Sequence, residues 1–179
     1  MFKTTAVMAA ALMMAAATSA DAQTCSGNSA AGCSVNTTAR VTVPTMVELT
    51  VWGTGEIQLS EPTPADLATG YVEDAGPSIS VRSNRQWTLS VHTTNATNFD
   101  YTGTEGGVKP ISHLTWSNTA TGTYAAMTTS SAAIVSNQAR TNAGAPTIFF
   151  RTVFTNDLSA LSNAAGDYSI PLVFTLTAP

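Results

Sequence analysis

The side chains that could carry acid–base or metal chemistry are few, and their spacing matches no known catalytic pattern. The chain has only two histidines, His92 and His113, and neither lies in an H-E-x-x-H pattern or at a zinc-ligand spacing from a cysteine. His92 falls on the polar side of a predicted strand, and His113 in a loop that leads into one. We interpret both as structural, and we predict no catalytic residue, no metal site and no cofactor.

Paired carboxylates offer a second route to hydrolysis, because a glycosidase needs two of them around the sugar bond. No pair stands out in this sequence, and no D-x-[DN]-x-[DN]-G calcium loop is present. Most acidic residues stand in predicted loops beside Gly, Pro or Asn, where carboxylates form turns and keep the surface soluble. We expect a non-enzymatic protein and rank a glycan-cleaving enzyme last. The carboxylates considered were Glu56, Glu61, Asp66, Glu73, Asp74, Asp100, Glu105, Asp157 and Asp167.

The chain begins like a secreted protein. Residues 1–22 carry one early positive charge at Lys3, then a run rich in Ala, Met and Leu, then Ala20-Asp21-Ala22. This is the layout of a secretory signal peptide with its cleavage site. The apolar run is short of the roughly 20 residues that span a membrane. We predict a mature chain of residues 23–179 without an integral membrane segment, located outside the cell, at its surface or in the periplasm.

Two cysteines follow the predicted cleavage site. Cys25 and Cys33 stand in "TCSGNSAAGCS", a short stretch rich in Gly, Ser and Ala. In an exported chain such a pair is typical of a disulfide. A redox or metal role would call for a C-x-x-C spacing or nearby histidines. We therefore predict that residues 23–34 form an N-terminal loop closed by a disulfide.

The low charge of the chain excludes two classes of partner. Only 10% of residues are charged and the net charge is −4, whereas about 25% is typical of soluble domains. Nucleic acid and anionic lipid surfaces are bound through clustered Lys and Arg. We therefore expect neither nucleic acid nor anionic lipid as a partner.

Strand periodicity dominates the rest of the chain. Apolar residues alternate with polar ones in "VNTTARVTV" (35–43), in "MVELTVWG", in "QWTLSV" and in "YSIPLVFTLTAP". A period of two is typical of half-buried strands, and Gly, Pro and Asn punctuate them as turns. "PADL" is the start of a short helix at most, and Pro171 indicates an edge strand or a bulge. We predict one all-β domain over 35–179, an antiparallel β-sandwich that is immunoglobulin-like or jelly-roll-like.

Aromatic residues are the remaining candidates for binding. Trp87 and Tyr168 each begin an apolar row on one strand face, so we interpret them as core residues. Trp52 precedes a glycine turn and Trp116 ends a short strand. For these two the sequence leaves open whether they belong to the core or contact a carbohydrate ligand.

The stretch "SISVRSNRQWTLSVHTTNATNFDYTG…VKPISHLTWS", together with "GDYSIPLVFTLTAP", resembles the WxL domain of bacterial cell-surface proteins. Trp87 and Leu89 match its first W-x-L motif. At the second, Phe174 stands in place of Trp and Leu176 is kept, after Gly166 and Tyr168. The resemblance implies an all-β fold and non-covalent attachment to cell-wall polysaccharide or peptidoglycan. Our first functional hypothesis is therefore a secreted, wall-attached surface protein.

The chain also resembles, more distantly, the exported β-sandwich subunits of pili. Its N-terminal alternating segment, residues 35–43, is of a kind that could add to an open sheet edge of a neighbouring copy. The resemblance implies copies of the same chain as partners. The second hypothesis is a structural subunit of an extracellular filament, pilus or coat that assembles by strand addition.

Overall fold

The computed structural model describes residues 33–53 and 55–179. Within them the chain is built of twelve strands, one short helix and two 3₁₀ turns, and the strands pair antiparallel. This confirms the predicted all-β, sandwich-like fold. Residues 43–179 form a single compact unit. No helix in the described part of the chain is long and apolar enough to cross a membrane.

The elements follow one another along the chain in a simple order. The strands are β1 Val47–Val51, β2 Tyr71–Ala75, β3 Ile79–Ser83, β4 Trp87–Thr93, β5 Asp100–Thr102, β6 Leu114–Ser117, β7 Ala125–Ala126, β8 Ala132–Gln138, β9 Thr141–Gly144, β10 Phe149–Val153, β11 Asp167–Ser169 and β12 Leu172–Thr177. Helix α1 is Pro64–Thr69, as "PADL" indicated, and the 3₁₀ turns are Ile111–His113 and Leu161–Asn163.

The first layer combines two three-stranded sheets, β1-β3-β9 and β12-β4-β8. The central position is β3 followed by β4; β9 and β8 pair with them on one side, β1 and β12 on the other. Val47 lies opposite Ser83 and Thr177 opposite Thr88, so the end of β12 comes next to the start of β1. One edge of this layer is therefore divided between the N-terminal strand and the C-terminal strand.

The second layer has the strand order β2-β10-β6-β7, and β5 pairs with β11 beside it. Side chains of both layers meet in one core. From the first layer come Val81, Leu89 and Val91, each at most 1% exposed, and from the second come Leu114 and Phe150, each 1% exposed. Strand β4 alternates strictly between buried and half-buried positions. The predicted core row of Trp87, Leu89 and Val91 is therefore confirmed.

The predicted strand over residues 35–43 is not formed. The chain has no regular structure from residue 33 to residue 46, and β1 begins only at Val47. A strand exists through the hydrogen bonds it exchanges with a neighbouring strand, and these residues belong to no ladder. The apolar members of the alternating row are exposed, Val41 to 85% and Val43 to 65%. The period of two is present in the sequence, but no strand of the described residues pairs with this segment.

The predicted C-terminal strand is divided in two. We expected one unbroken strand from Tyr168 to Leu176, and the structure interrupts it at Ile170 and Pro171 between β11 and β12. The two halves pair with different partners, β11 with β5 and β12 with β4. Proline has no N–H for a ladder hydrogen bond, which explains the position of the break. Strand β12 lies at an edge, as Pro171 indicated.

Two predictions fall outside the described residues. The signal peptide, residues 1–22, and Cys25 both lie there. The disulfide between Cys25 and Cys33, and with it the closed loop 23–34, stays a prediction.

Replacing Leu89 by Ala is expected to lower the free energy of unfolding of the mature chain by about 2–5 kcal/mol, because a fully buried leucine leaves a cavity in a packed core. The matched control is Ser90→Ala on the opposite, half-buried face of the same strand, with an expected change of about 0.5 kcal/mol or less. Guanidinium denaturation followed by circular dichroism measures both. Equal losses in the two variants would contradict this assignment of the core face.

Candidate functional site: an open groove beside the last strand

Trp116 lies in the interior, whereas a side chain that contacts a carbohydrate has to be exposed at the surface. It stands on β6 opposite Phe150 of β10 and is 7% exposed, within the core. Leu114, two residues earlier, faces the same way and is 1% exposed. Because alternate residues of a strand share a face, the inward direction of Leu114 fixes that of Trp116. Of the two interpretations that the sequence left open for Trp116, this burial supports the core one, and a ligand contact stays an untested prediction.

Trp52 lies at the surface. It follows β1, its backbone N–H donates to the Ser78 carbonyl at 2.9 Å, and it is 46% exposed. Its side chain lines a groove described below. A contact between Trp52 and a ligand stays a prediction.

The residues of the two W-x-L-like motifs belong to the interior. Trp87 is 4% exposed, and its indole N–H donates to the Ala139 carbonyl at 2.9 Å. Leu89 is fully buried. Tyr168, Phe174 and Leu176 are half-buried and pack against the core. Their role as core residues is therefore the one that the packing supports.

A groove of about 1160 Å³ opens beside β12; we call it the β12 groove. Its lining comes from three parts of the chain: residues 51–62, without the undescribed residue 54, together with Leu67; the inner face of β10 with Phe154; and residues 162–172 with Phe174. Phe99, Lys109 and Leu114 complete it. The lining mixes polar and apolar residues, and part of it, including Ile57, Leu59, Leu172 and Phe174, packs against the hydrophobic core. The core residues Leu114 and Phe150 that border the groove are each 1% exposed, so the core itself stays covered there.

Strand β12 is left without a second neighbour. It pairs with β4 over its full length, and among the described residues its other edge pairs with no strand. The first five of its six residues are half-buried and only the last is exposed. By contrast, the alternate residues of β4 are almost completely covered. The edge therefore combines unused backbone hydrogen-bonding groups with incompletely covered apolar side chains.

The groove is closed at the β11 end by a tyrosine cluster. The rings of Tyr101 and Tyr168 lie 5.0 Å apart, and the Tyr168 hydroxyl donates toward the carbonyls of Leu161 and Ala164 at 3.1 and 3.0 Å. The Tyr101 hydroxyl donates to the Ala165 carbonyl at 2.6 Å. These bonds tie residues 161–165 to the β5–β11 pair, so this end of the groove is held by hydrogen bonds.

Residues 55–60 line the groove without joining a sheet. Ile57 and Leu59 are half-buried and pack against the core. Ser60 is fixed by Asp74, to which its backbone N–H and its hydroxyl donate at 3.1 and 2.6 Å. Among the described residues, no backbone amide from 55 to 59 donates to a backbone carbonyl. This stretch therefore covers part of the core by its side chains alone.

Lys109 is the ionisable group buried deepest at this site. It is 2% exposed, and its Nζ donates to the carbonyls of Val153 at 2.9 Å and Ser162 at 3.3 Å. Nζ also lies 4.0 Å from the centre of the Phe154 ring. The two ion pairs in the described residues, Arg82–Glu48 and Arg151–Glu73, do not include it. Burial without a carboxylate lowers the pKa of Lys109 to about 8.

Sequence reasoning missed Lys109. The available signal is that it is the only lysine after residue 22, in the neutral stretch "GGVKPIS". A lone lysine there gives no indication of burial, because lysines are almost always exposed. Its position becomes clear only from the carbonyls of Val153 and Ser162, which lie more than forty residues away in sequence.

Several other ionisable residues have structural partners. Asp66 caps α1 and Asp157 binds Ser159, and these hydrogen bonds lower the pKa of each carboxyl. Arg151 pairs with Glu73 and lies between the rings of Tyr71 and Tyr124 at 4.0 and 4.1 Å. Burial, assisted by the charge of Lys109, lowers the pKa of His113. In the described residues, no three His, Cys, Asp or Glu side chains are grouped as a metal site would need.

Comparison with known proteins gives no assignment: no family model matches the chain, and no curated protein is detectably similar to it in sequence. The resemblances to the WxL domain and to pilus subunits stay predictions, and the site has to be interpreted from its own geometry.

The depressed pKa of Lys109 predicts a pH dependence of stability. Unfolded lysine titrates near 10.5 and the folded one near 8, so the unfolded chain binds more protons between these values. The free energy of unfolding should therefore rise with pH in this window. From pH 8 to 9.5 we expect a gain of about 1 kcal/mol, measured by guanidinium denaturation.

The control is Lys109→Met, which keeps the length of the side chain and removes the amine. In this variant the gain between pH 8 and 9.5 should disappear. The upper pH stays below the titration of Tyr168, whose pKa is raised by burial. The same rise in wild type and variant would show that Lys109 is not its source.

Proposed function

We propose that this protein is a structural subunit of an extracellular assembly whose copies join by strand addition. Residues 35–43 of one copy add to β12 of the next and fill its β12 groove. The observation that carries the proposal is an edge strand that pairs with no second strand among the described residues and lies beside an open groove lined by its half-buried apolar side chains. The protein is a non-enzymatic building block on this proposal, and its partner is a second copy of itself.

The backbone of β12 favours a strand as the occupant. An edge strand presents a row of N–H and C=O groups that an extended segment can pair with, and soluble proteins usually protect such edges. In strand addition these hydrogen bonds supply affinity, while pockets for alternate side chains supply specificity. The β12 groove offers both, since Leu172 and Phe174 line it and are half-buried along the same edge.

Residues 35–43 have the sequence and exposure expected of the added strand. The row Val35, Thr37, Ala39, Val41 and Val43 is apolar at four of five positions, and Arg40 lies in the opposite row. An extended nine-residue segment spans about 30 Å, enough to cover the six residues of β12 and continue toward β11. Val35, Val41 and Val43 are 48%, 85% and 65% exposed in the chain that carries them. Burial of a valine side chain contributes about 1.5–3 kcal/mol.

The predicted export supports an extracellular place of assembly. A signal peptide over residues 1–22 is the feature of the sequence that indicates it. Attachment to wall polysaccharide remains the alternative hypothesis from the WxL resemblance. Of the two tryptophans considered for it, Trp116 is buried and Trp52 lies at the β12 groove, so the groove favours assembly over a separate sugar-binding face.

The test is a pair of substitutions in residues 35–43 of the mature chain, 23–179. Val41→Asp places a carboxylate in the row that enters the groove, and we expect it to raise the concentration needed for assembly at least about a hundredfold, because an unpaired buried charge is strongly disfavoured. Thr42→Asp adds the same charge in the opposite row and should leave assembly within about threefold of wild type, as expected for a surface substitution. Sedimentation velocity and electron microscopy of negatively stained samples measure the products.

A wild-type protein that stays monomeric at hundreds of micromolar would contradict the proposal. Equal effects of the two substitutions would also contradict it, because the inward row would then have no special role. Co-sedimentation of such a monomer with purified sacculi would favour the wall-attachment hypothesis instead.

A further inference from the structure

We infer that the side-chain amides of Gln86, Asn118 and Gln138 close the β8 edge to strand addition, so that of the β8 and β12 edges only β12 accepts a strand. This inference rests on the proposed strand addition and adds its specificity: how many strands one copy takes up, and which residues set this number. It concerns the strand on the other side of β4 from β12. Strand β8 pairs with β4 and, among the described residues, with no further strand.

The β8 edge lacks the two protections that a sequence usually supplies. Strand β8 is seven residues long and reads AAIVSNQ, without a charged residue and without proline. Soluble proteins often place charges or proline on an edge strand, because its unpaired N–H and C=O groups would otherwise bind another chain. By sequence alone β8 is therefore as suitable for strand addition as β12, which reads LVFTLT. Its protection has to come from the folded structure.

Three carbonyl groups of β8 accept hydrogen bonds from side-chain amides. The bonds run from Asn118 to Ile134 at 3.0 Å, from Gln138 to Ser136 at 3.0 Å and from Gln86 to Asn137 at 3.2 Å. Asn118 directly follows β6, so its amide joins the second layer to the β8 edge of the first. An added strand would have to displace these amides before its own N–H groups could pair with the same carbonyls.

The capped carbonyls belong to the residues that the ladder with β4 leaves out. The register of β8 with β4 shifts on both sides of the pair Leu89–Val135, as in a β-bulge. The three residues of β8 that fall outside the pairs of this ladder are Ile134, Ser136 and Asn137. Without the amides, their carbonyls would be the acceptors most available to another chain. The side-chain amides therefore occupy the positions at which the β8 edge could be extended.

Strand β12 shows neither feature. It pairs with β4 through six consecutive residue pairs without a shift. Its one side-chain hydrogen bond within the described residues runs from the Thr177 hydroxyl to the Thr88 carbonyl of β4 at 3.5 Å, so no side chain caps its backbone. Of the two strands that flank β4, only β12 therefore keeps a regular backbone edge free for pairing.

The experiment counts the strands that one copy accepts. A fluorescent peptide with the sequence of residues 35–43 is added in excess to the mature chain, and sedimentation velocity gives the number of peptides bound per chain. We expect one for the wild type and two for the triple variant Gln86→Ala, Asn118→Ala, Gln138→Ala, in which the β8 carbonyls are uncapped. Gln58→Ala is the matched control and should leave the number at one, because its amide bonds to a backbone carbonyl outside β8.

Hydrogen exchange with the peptide bound locates each site. In the wild type the amides of β12 should gain protection and those of β8 should not, whereas in the triple variant both strands should gain it. Where the triple variant does not fold, Asn118→Ala alone takes its place with the same expectation. Two peptides on the wild type, or one on the uncapped variant, would overturn the inference and leave strand addition at β12 intact. No bound peptide on any chain would overturn both.

Discussion

The architecture depends on one constraint: within residues 33–53 and 55–179, the last strand, β12, has a hydrogen-bonded neighbour on one side only. A sandwich excludes water from its core through the two layers and through whatever closes their edges. Here β4 covers one side of β12, while the other side faces the β12 groove. The half-buried row on β12 follows from this open edge, and residues 55–60 cover part of the neighbouring core by their side chains.

The sequence was informative where the chain completes its own core. The period of two around Trp87 and Leu89 predicted both the strand and its buried face, because β4 has neighbours on both sides and a layer above it. It was misleading for residues 35–43, where the same period is present and no strand forms. The period of two shows only that a segment is suited to a β-sheet. Whether the segment pairs depends on whether a sheet has a free edge for it, and such an edge is formed by residues far away in the chain.

The site itself was less predictable than the fold. Trp116 was considered for ligand contact because it ends a short strand, and the register with Phe150 turns it inward. Lys109 gave no signal, because its environment is assembled from Val153, Phe154 and Ser162, none of which is near it in sequence. The wall-attachment and assembly hypotheses also differ in whether their basis can be seen in the sequence. The first follows from short motifs that turn out to be core, and the second from an edge that is visible only when the strands are placed.

The distribution of the three tryptophans has a practical consequence for spectroscopy. Trp87 and Trp116 are 4% and 7% exposed, so their emission reports a rigid apolar interior. Trp52 is 46% exposed and lines the β12 groove. Any occupant of the groove that removes water from this indole would shift its emission to shorter wavelength, while the other two remain unchanged. The chain thus contains its own optical reporter of groove occupancy, readable without a label.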